Sequence, residues 1–152
     1  MISKKKRKYF ILHGPNLNLL GEREIKIYGS LSLIEINKKI IQFAEDNDCK
    51  LRIHQSNSEG SLIDLLHENR NWAEGIVFNP GAYSHYSYAI RDAISSVALP
   101  TVEVHLTAIG EREDFRKTSV IAAVCVKQIS GLGWQSYIEG LKFLLFNCPE
   151  TD

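Results

Sequence analysis

Cysteine is nearly absent from this chain: three residues in 152, Cys49, Cys125 and Cys148, odd in number and without CxxC spacing. That excludes a disulfide framework and a cysteine-built zinc site, and it points to a reducing, cytoplasmic compartment. Net charge is absent too, +0 at pH 7, so no long-range field argues for nucleic acid or an anionic membrane as partner. No run approaches the roughly 20 apolar residues that cross a bilayer. The apolar Tyr9-Phe10-Ile11-Leu12 that follows the basic start is cut at once by His13-Gly14-Pro15-Asn16, too short for a secretory h-region. There is no GxxxxGK(S/T) phosphate loop, no GxGxxG and no GxSxG elbow, and the five histidines show neither HExxH nor HxH. A nucleotide loop, a hydroxyl nucleophile and a catalytic metal all lack their signatures. Gly131-Leu132-Gly133, before a helical pattern, is an isolated GxG and carries little.

What is present reads as one soluble domain, with 44% hydrophobic and 24% charged residues. The one charge run is Lys4-Lys5-Lys6-Arg7-Lys8; setting these five cations aside takes the balance from +0 to −5. With no second basic cluster behind it, residues 1–8 read as a solvated tail and 9–148 as a single domain. Apolar, β-branched or aromatic runs at 8–13, 50–55, 75–79, 100–106 and 119–126 have the character of strands. Helical patterns lie between them. Ser32 to Glu35 forms a capping-box signature before apolar positions 33, 36, 40, 43 and 44. Leu62, Ile63, Leu65 and Leu66 mark a second helix, Ala89, Ile90, Ala93, Ile94 and Val97 a third, and residues 134–146 a last. Strands alternating with helices of ten to fifteen residues predict an α/β fold. The arrangement expected is a flavodoxin-like, doubly wound, five-stranded parallel sheet in three α/β/α layers.

In such sheets ligands sit beyond the carboxyl ends of the strands. Here those ends carry His13-Gly14-Pro15-Asn16, Asn79-Pro80-Gly81 and Glu103-Val104-His105. Residues two apart on a strand share a face, so Glu103 sets a carboxylate beside the His105 imidazole, which suits a general acid. A buried, satisfied ion pair is the plain alternative. The segment around Arg23 and Tyr28 lacks periodicity and reads either as a lid carrying both groups inward or as ordinary surface loop. Asn79-Pro80-Gly81-Ala82-Tyr83-Ser84-His85 leads into the third helix, as a ligand-binding turn or a turn alone. Glu111-Arg112-Glu113-Asp114-Phe115-Arg116 brings two arginines after the fourth strand, as site residues or as a charged surface turn.

Taken in order, His13-Gly14-Pro15-Asn16-Leu17-Asn18-Leu19-Leu20-Gly21, Tyr28-Gly29, Gln55-Ser56-Asn57-Ser58-Glu59-Gly60, Asn79 to His85, Arg91-Asp92-Ala93, Val102 to His105 and Arg112 to Arg116 resemble the type II 3-dehydroquinate dehydratases over residues 9 to 146. The resemblance implies an enzyme of the shikimate pathway that needs no cofactor and no metal. It implies Tyr28 as base at the carbon next to a ketone, with Arg23 against it favouring the phenolate. It implies His105 as acid for the departing hydroxyl, oriented by Glu103, and Asn16 as holder of a water against the enolate. Asn79, His85, Arg116, Arg112 and Asp92 would bind substrate or brace groups that do, and Leu106 and Thr107 would receive a carboxylate. Asp92 would reach a neighbouring subunit within a trimer, four trimers making a dodecamer. Ile25, Thr107-Ala108 and Gly110 depart from the family's commoner residues, and none of them is a proposed acid or base.

The chemistry is coherent on its own terms. A β-hydroxy ketone loses water once an enolate forms. An ordinary phenol, of pKa about 10, is ionised only about once in a thousand at pH 7, a deficit of about 4 kcal/mol. An exposed ion pair supplies only about 0.2–1 kcal/mol, so Arg23, alone or with Arg112, must act on such a base in a closed pocket. Readings from other classes are a non-catalytic flavodoxin-like binding or receiver module and an assembly protein. The first needs a hydroxyl- and glycine-rich phosphate loop or an acidic acceptor cluster, where Pro15 and Asn16 stand instead.

Overall fold

A strand covered on both faces tends to stay apolar along its length, a rule that residues 9–12 and 75–78 follow and that Glu103 breaks within 101–105. In the computed structural model, which describes residues 4–149, β1 (Arg7–His13), β2 (Cys49–Gln55), β3 (Gly75–Asn79), β4 (Thr101–His105) and β5 (Lys127–Ser130) form one sheet. All pairings are parallel and the order is β2-β1-β3-β4-β5, the doubly wound arrangement expected. β3 and β4 are buried at every residue, whereas β2, at the edge, is alternately covered and exposed.

The helices are α1 (Ile25–Tyr28), α2 (Leu33–Asp46), α3 (Glu59–Asn69), α4 (Tyr88–Val97) and α5 (Gln135–Asn147). α2 opens on the expected capping box: Ser32 Oγ accepts from Glu35 N at 3.2 Å and Glu35 Oε2 from Ser32 N at 3.3 Å. It buries Ile36, Ile40 and Ala44 with Tyr137, Leu141 and Leu144 of α5 against Tyr9, Ile11, Val77, Val102 and Val104. The opposite face packs Leu62 and Leu66 of α3 and Ile90, Ala93, Ile94 and Val97 of α4 on Phe10, Leu12, Ile76 and Phe78. Odd and even positions of β1 and β3 thus feed two separate cores.

Several expectations are corrected. The run 119–126 is not a strand: Ala122–Val124 is a 3-10 turn and β5 begins at Lys127. Ser119 Oγ accepts from the amides of Ile121 and Ala122 at 3.2 and 3.1 Å, which folds the chain back on itself. Ile121 then fills the α3/α4 core, with Val120, Val124 and Cys125 packed against it. Residues 81–85 do not open the third helix; they form their own 3-10 turn, and α4 starts at Tyr88. Its cap is Ser87, whose Oγ accepts from Ile90 N at 3.0 Å and donates to Glu59 Oε2 at 2.7 Å. Of the five apolar positions expected on this helix, Ala89 is exposed, and Ile90, Ala93, Ile94 and Val97 are buried. The basic run does not end as a tail either, since β1 takes in Arg7 and Lys8, and Arg7 Nε meets Glu74 Oε1 at 3.2 Å. Residues 1–3 of the expected tail lie outside the described residues.

One close backbone approach draws the ends of β1 and β3 together. Gly14 N donates to Asn79 O at 2.7 Å, and a Cβ on Gly14 would stand 2.7 Å from Pro80 C and 2.8 Å from Asn79 O. Only hydrogen fits between these backbones. Beneath them runs a polar layer between the sheet and α2/α5. His13 Nδ1 lies 2.7 Å from Tyr137 Oη, His13 Nε2 lies 2.8 Å from Asn37 Oδ1, and Asn79 Nδ2 donates to Tyr137 Oη at 3.1 Å.

Gly14→Ala is therefore expected to cost about 1–3 kcal/mol by overpacking against main chain that cannot step aside, read as a lower urea midpoint. An unchanged midpoint would mean that the two strand ends separate freely. Burial holds the His13 imidazole down, from 6.5 to about 4, its hydrogen bond to Asn37 acting the other way. Between those two values the unfolded chain holds the extra proton, so stability falls as pH falls and is fully retained above about 6.5. By pH 4 this ring alone accounts for a loss on the order of 3 kcal/mol. Unfolding free energies at stepped pH should fall less steeply in His13→Gln, and identical slopes would remove His13 as the source.

Candidate active site

Beyond the carboxyl ends of β1, β3 and β4 lies a cleft of about 520 Å³, its open mouth included. It is lined by Asn16, Arg23, Tyr28, Asn79, His85, His105, Leu106, Thr107, Arg112 and Arg116. Of the residues singled out from sequence, only Glu103 and Asp92 are outside this lining. Glu103 stands behind His105, and Asp92 is exposed on α4, away from its own chain's cleft.

β4 supplies the imidazole. Glu103 and His105 share the sheet face turned to α3 and α4, and His105 Nε2 lies 2.5 Å from Glu103 Oε2. The carboxylate can only accept, so Nε2 carries the hydrogen and Nδ1 is left for the cleft. Glu103 is fully buried, and its charge is met by further donors: Ser119 Oγ at 2.9 Å from both oxygens and Gln128 Nε2 at 3.2 Å. Beside it, burial and then the Glu103 charge push the Cys125 thiol up to about 12, which leaves no thiolate to act as nucleophile.

The segment after β1 supplies the phenol. Gly21 (φ 90°) turns the chain and α1 ends at Tyr28, whose side chain is half-buried. Arg112 Nη1 donates to Tyr28 Oη at 2.6 Å, and the Arg23 guanidinium lies 4.2 Å from the ring centroid. Arg112 is itself 5.2 Å from that centroid, so two cations flank one phenol. Both stabilise negative charge on its oxygen. Arg112, read from sequence as a substrate ligand and also as a second cation beside the base, is the direct donor to this phenol, and Arg23 the cation over its face.

The turn after β3 supplies neutral donors and a second ring. Gly81 takes φ 58°, which lets its N–H reach back to Asn79 Oδ1 at 3.1 Å. His85 Nδ1 lies 2.8 Å from Thr118 O, and its ring meets Phe115 edge-on at 6.0 Å. Arg116 pairs with Glu113, which holds that carboxyl below the usual range. Asn16 adopts the left-handed conformation (φ 68°), tolerated by asparagine, and its N–H donates to Asn57 Oδ1 at 3.0 Å. Arg23, Arg112 and Arg116 make the cleft cationic, suited to an anionic ligand. Among the described residues no group of three or more His, Cys, Asp or Glu is placed to hold a metal ion.

Of the residues that hold the site from behind, sequence reading missed Ser119, Gln128, Asn37 and Tyr137 and gave His13 no role beyond its place at a strand end. Only His13 carried a signal, a polar residue closing an apolar strand. The others sit in apolar or amphipathic runs where periodicity records burial and says nothing of hydrogen bonds.

The chain matches the family model described as dehydroquinase class II over residues 7–145. It is 53% identical over 135 residues to a 3-dehydroquinate dehydratase of Pelotomaculum thermopropionicum, covering 89% of this chain and 94% of that one. A 3-dehydroquinate dehydratase of Trichodesmium erythraeum is 56% identical over 135 residues, covering 89% and 90%. The crystal structure of a type II dehydroquinase from Butyrivibrio crossotus superposes with a TM-score of 0.91 at 43% identity, covering 92% of this chain and 98% of that one. With the match spanning nearly the whole sheet and every element that lines the cleft, this chain belongs to the class II dehydroquinase family.

Proposed function

We propose that this protein removes water from 3-dehydroquinate to give 3-dehydroshikimate, as a hydro-lyase of the shikimate pathway, in the cytoplasm and without a cofactor. One observation carries the reading: a phenol held by two guanidinium groups lines the same cleft as an imidazole backed by a buried carboxylate. That pair is the base and the acid that an elimination through an enolate requires.

The steps follow from the groups present. Tyr28, as phenolate, takes a proton from the carbon next to the ketone, and the C–H electrons form the enolate. Asn16 helps hold a water against the enolate oxygen. The enolate re-forms the ketone as the C–O bond to the neighbouring hydroxyl breaks, and His105 Nδ1 delivers the proton that lets it leave as water. Glu103 steadies the cationic ring before that transfer. Arg112 and Arg23 offset the cost of a phenolate; a hydrogen bond to a charged group contributes about 1.5–3 kcal/mol, more than an exposed pair gives. The amide of Leu106, the hydroxyl of Thr107 and Arg116 receive the carboxylate and hydroxyls, with His85 and Asn79.

The same reading makes the protein a dodecamer of four trimers in which Asp92 serves a neighbour's cleft. Its support is local: Asp92 is exposed on α4, near Tyr86 and Tyr88, which are 61% and 64% exposed. Aromatic surface of that kind is costly to leave in water and is common at interfaces.

Mixing the protein with 3-dehydroquinate should produce the ultraviolet absorbance of a conjugated enone, and Tyr28→Phe should lower turnover by about 10²–10⁴-fold with the fold intact by circular dichroism. Near-normal turnover in Tyr28→Phe would show that the base lies elsewhere, and a silent native enzyme would remove the dehydratase reading. The shared site has its own test. Co-expressed Tyr28→Phe and Asp92→Ala chains, each weak alone, should rebuild roughly a quarter of sites if they mix at random in a cyclic trimer. A mixture no more active than the average of its parents would confine Asp92 to its own chain.

A further inference from the structure

The polar layer under the cleft has one self-consistent direction, and it starts from a group that can only donate. The Gly81 N–H donates at 3.1 Å to the side-chain oxygen of Asn79, which turns the Asn79 NH2 toward Tyr137. Tyr137 Oη receives that hydrogen at 3.1 Å, so its own proton points the other way, to His13 Nδ1 at 2.7 Å. Nδ1 must then be bare and Nε2 protonated. Nε2 lies 2.8 Å from Asn37 Oδ1, an acceptor, as that direction demands. The chain of donors runs Asn79 to Tyr137 to His13 to Asn37, joining β3, α5, β1 and α2. His13 and Tyr137 are fully buried and Asn79 is 3% exposed. Burial keeps the His13 ring neutral, so no ordinary change of pH reverses the order.

We infer that Tyr137 and His13 are positioning residues that clamp Asn79 so its one unused N–H is aimed into the cleft as a fixed donor to a substrate oxygen. This rests on the proposed role of Asn79 as a substrate ligand. An unclamped asparagine turns freely about its terminal torsion and presents either oxygen or NH2. Here the oxygen is taken by Gly81 N and one hydrogen by Tyr137, so the cleft meets a donor and not an acceptor. Asn79 therefore selects an acceptor oxygen, a hydroxyl lone pair or a carboxylate, at the point it reaches.

Loss of this clamp weakens binding in the ground state and the transition state alike, so it raises KM more than it lowers kcat. Tyr137→Phe is expected to raise KM for 3-dehydroquinate by roughly tenfold with kcat within about twofold. Tyr9→Phe is the control: Tyr9 is equally buried in the same core, its hydroxyl has no partner among the described residues, and its loss should leave KM unchanged. In an Asn79→Ala background, Tyr137→Phe should add no further rise in KM. A lower melting temperature with KM unchanged would make Tyr137 a core tyrosine only and overturn the inference, as would additive effects in the double variant. If Asn79→Ala raises KM and Tyr137→Phe does not, the clamp fails and the substrate role of Asn79 stands; if Asn79→Ala leaves KM unchanged, both fail. Neutron diffraction on the native protein reads the order directly, whatever the variants do. Deuterium on His13 Nε2 and a Tyr137 deuterium aimed at Nδ1 support it, and deuterium on Nδ1 overturns it.

Discussion

An ionised carboxylate with no exposed surface, set on an inner strand of a parallel sheet, must be met by donors on all sides or it costs several kcal/mol. Glu103 imposes that condition, and much of the last third of the chain answers it. Its register partner on β5 is Gln128, whose amide donates from the next strand. Ser119 donates from above, and to stand there the chain must turn, which it does by closing the Ile121 and Ala122 amides on the same hydroxyl. The imidazole two residues along takes the remaining direction. The proposed catalytic acid is thus one member of the set that makes a buried charge tolerable, and its orientation comes with the packing of β4.

The phenol half of the cleft is built in the opposite way. Between β1 and α2 the core holds the chain at Leu17 and Leu20, 4% and 2% exposed, but Arg23 and Tyr28 come from the stretch that follows, where Ile25 and Ile27 are 52% and 47% exposed. Arg112 comes from the turn after β4. Such segments open at low free energy, whereas β4 is buried throughout. One half of the site is fixed by the core, and the other is held together by two cations on one phenol.

This division matches what could be read from sequence. β1, β3, β4 and the faces of α2 and α5 were legible because burial on a sheet or helix leaves a period, and the site ends of those strands were legible as polar breaks in apolar runs. The pairing of Glu103 with His105 followed from strand geometry alone. What was not legible depended on hydrogen bonds between residues distant in sequence. Residues 119–126 are apolar enough for a strand, but the Ser119 turn needed by Glu103 spends them on the core. Residues 81–85 carry helix-compatible side chains, yet Gly81 must bend to satisfy Asn79, so the helix waits for the Ser87 cap. Tyr137 has the spacing of any core-facing helix residue, and its hydroxyl contact to a strand end leaves no mark in periodicity.

Two histidines show how environment separates roles within one sheet. His13 and His105 both close a strand at its carboxyl end, and both are almost without exposed surface. His105 faces a carboxylate, a partner that steadies a cation, and its other nitrogen opens on the cleft. His13 faces a phenol and an amide; the Asn37 oxygen favours the cation, but too weakly to offset its lost hydration, so burial decides and the ring stays uncharged. A neutral ring with one donor and one acceptor suits a network of fixed order, whereas a ring with a charged partner suits the proton transfer proposed for His105. Exchanging the neighbours of the two histidines would exchange their chemistry, with the strands left as they are.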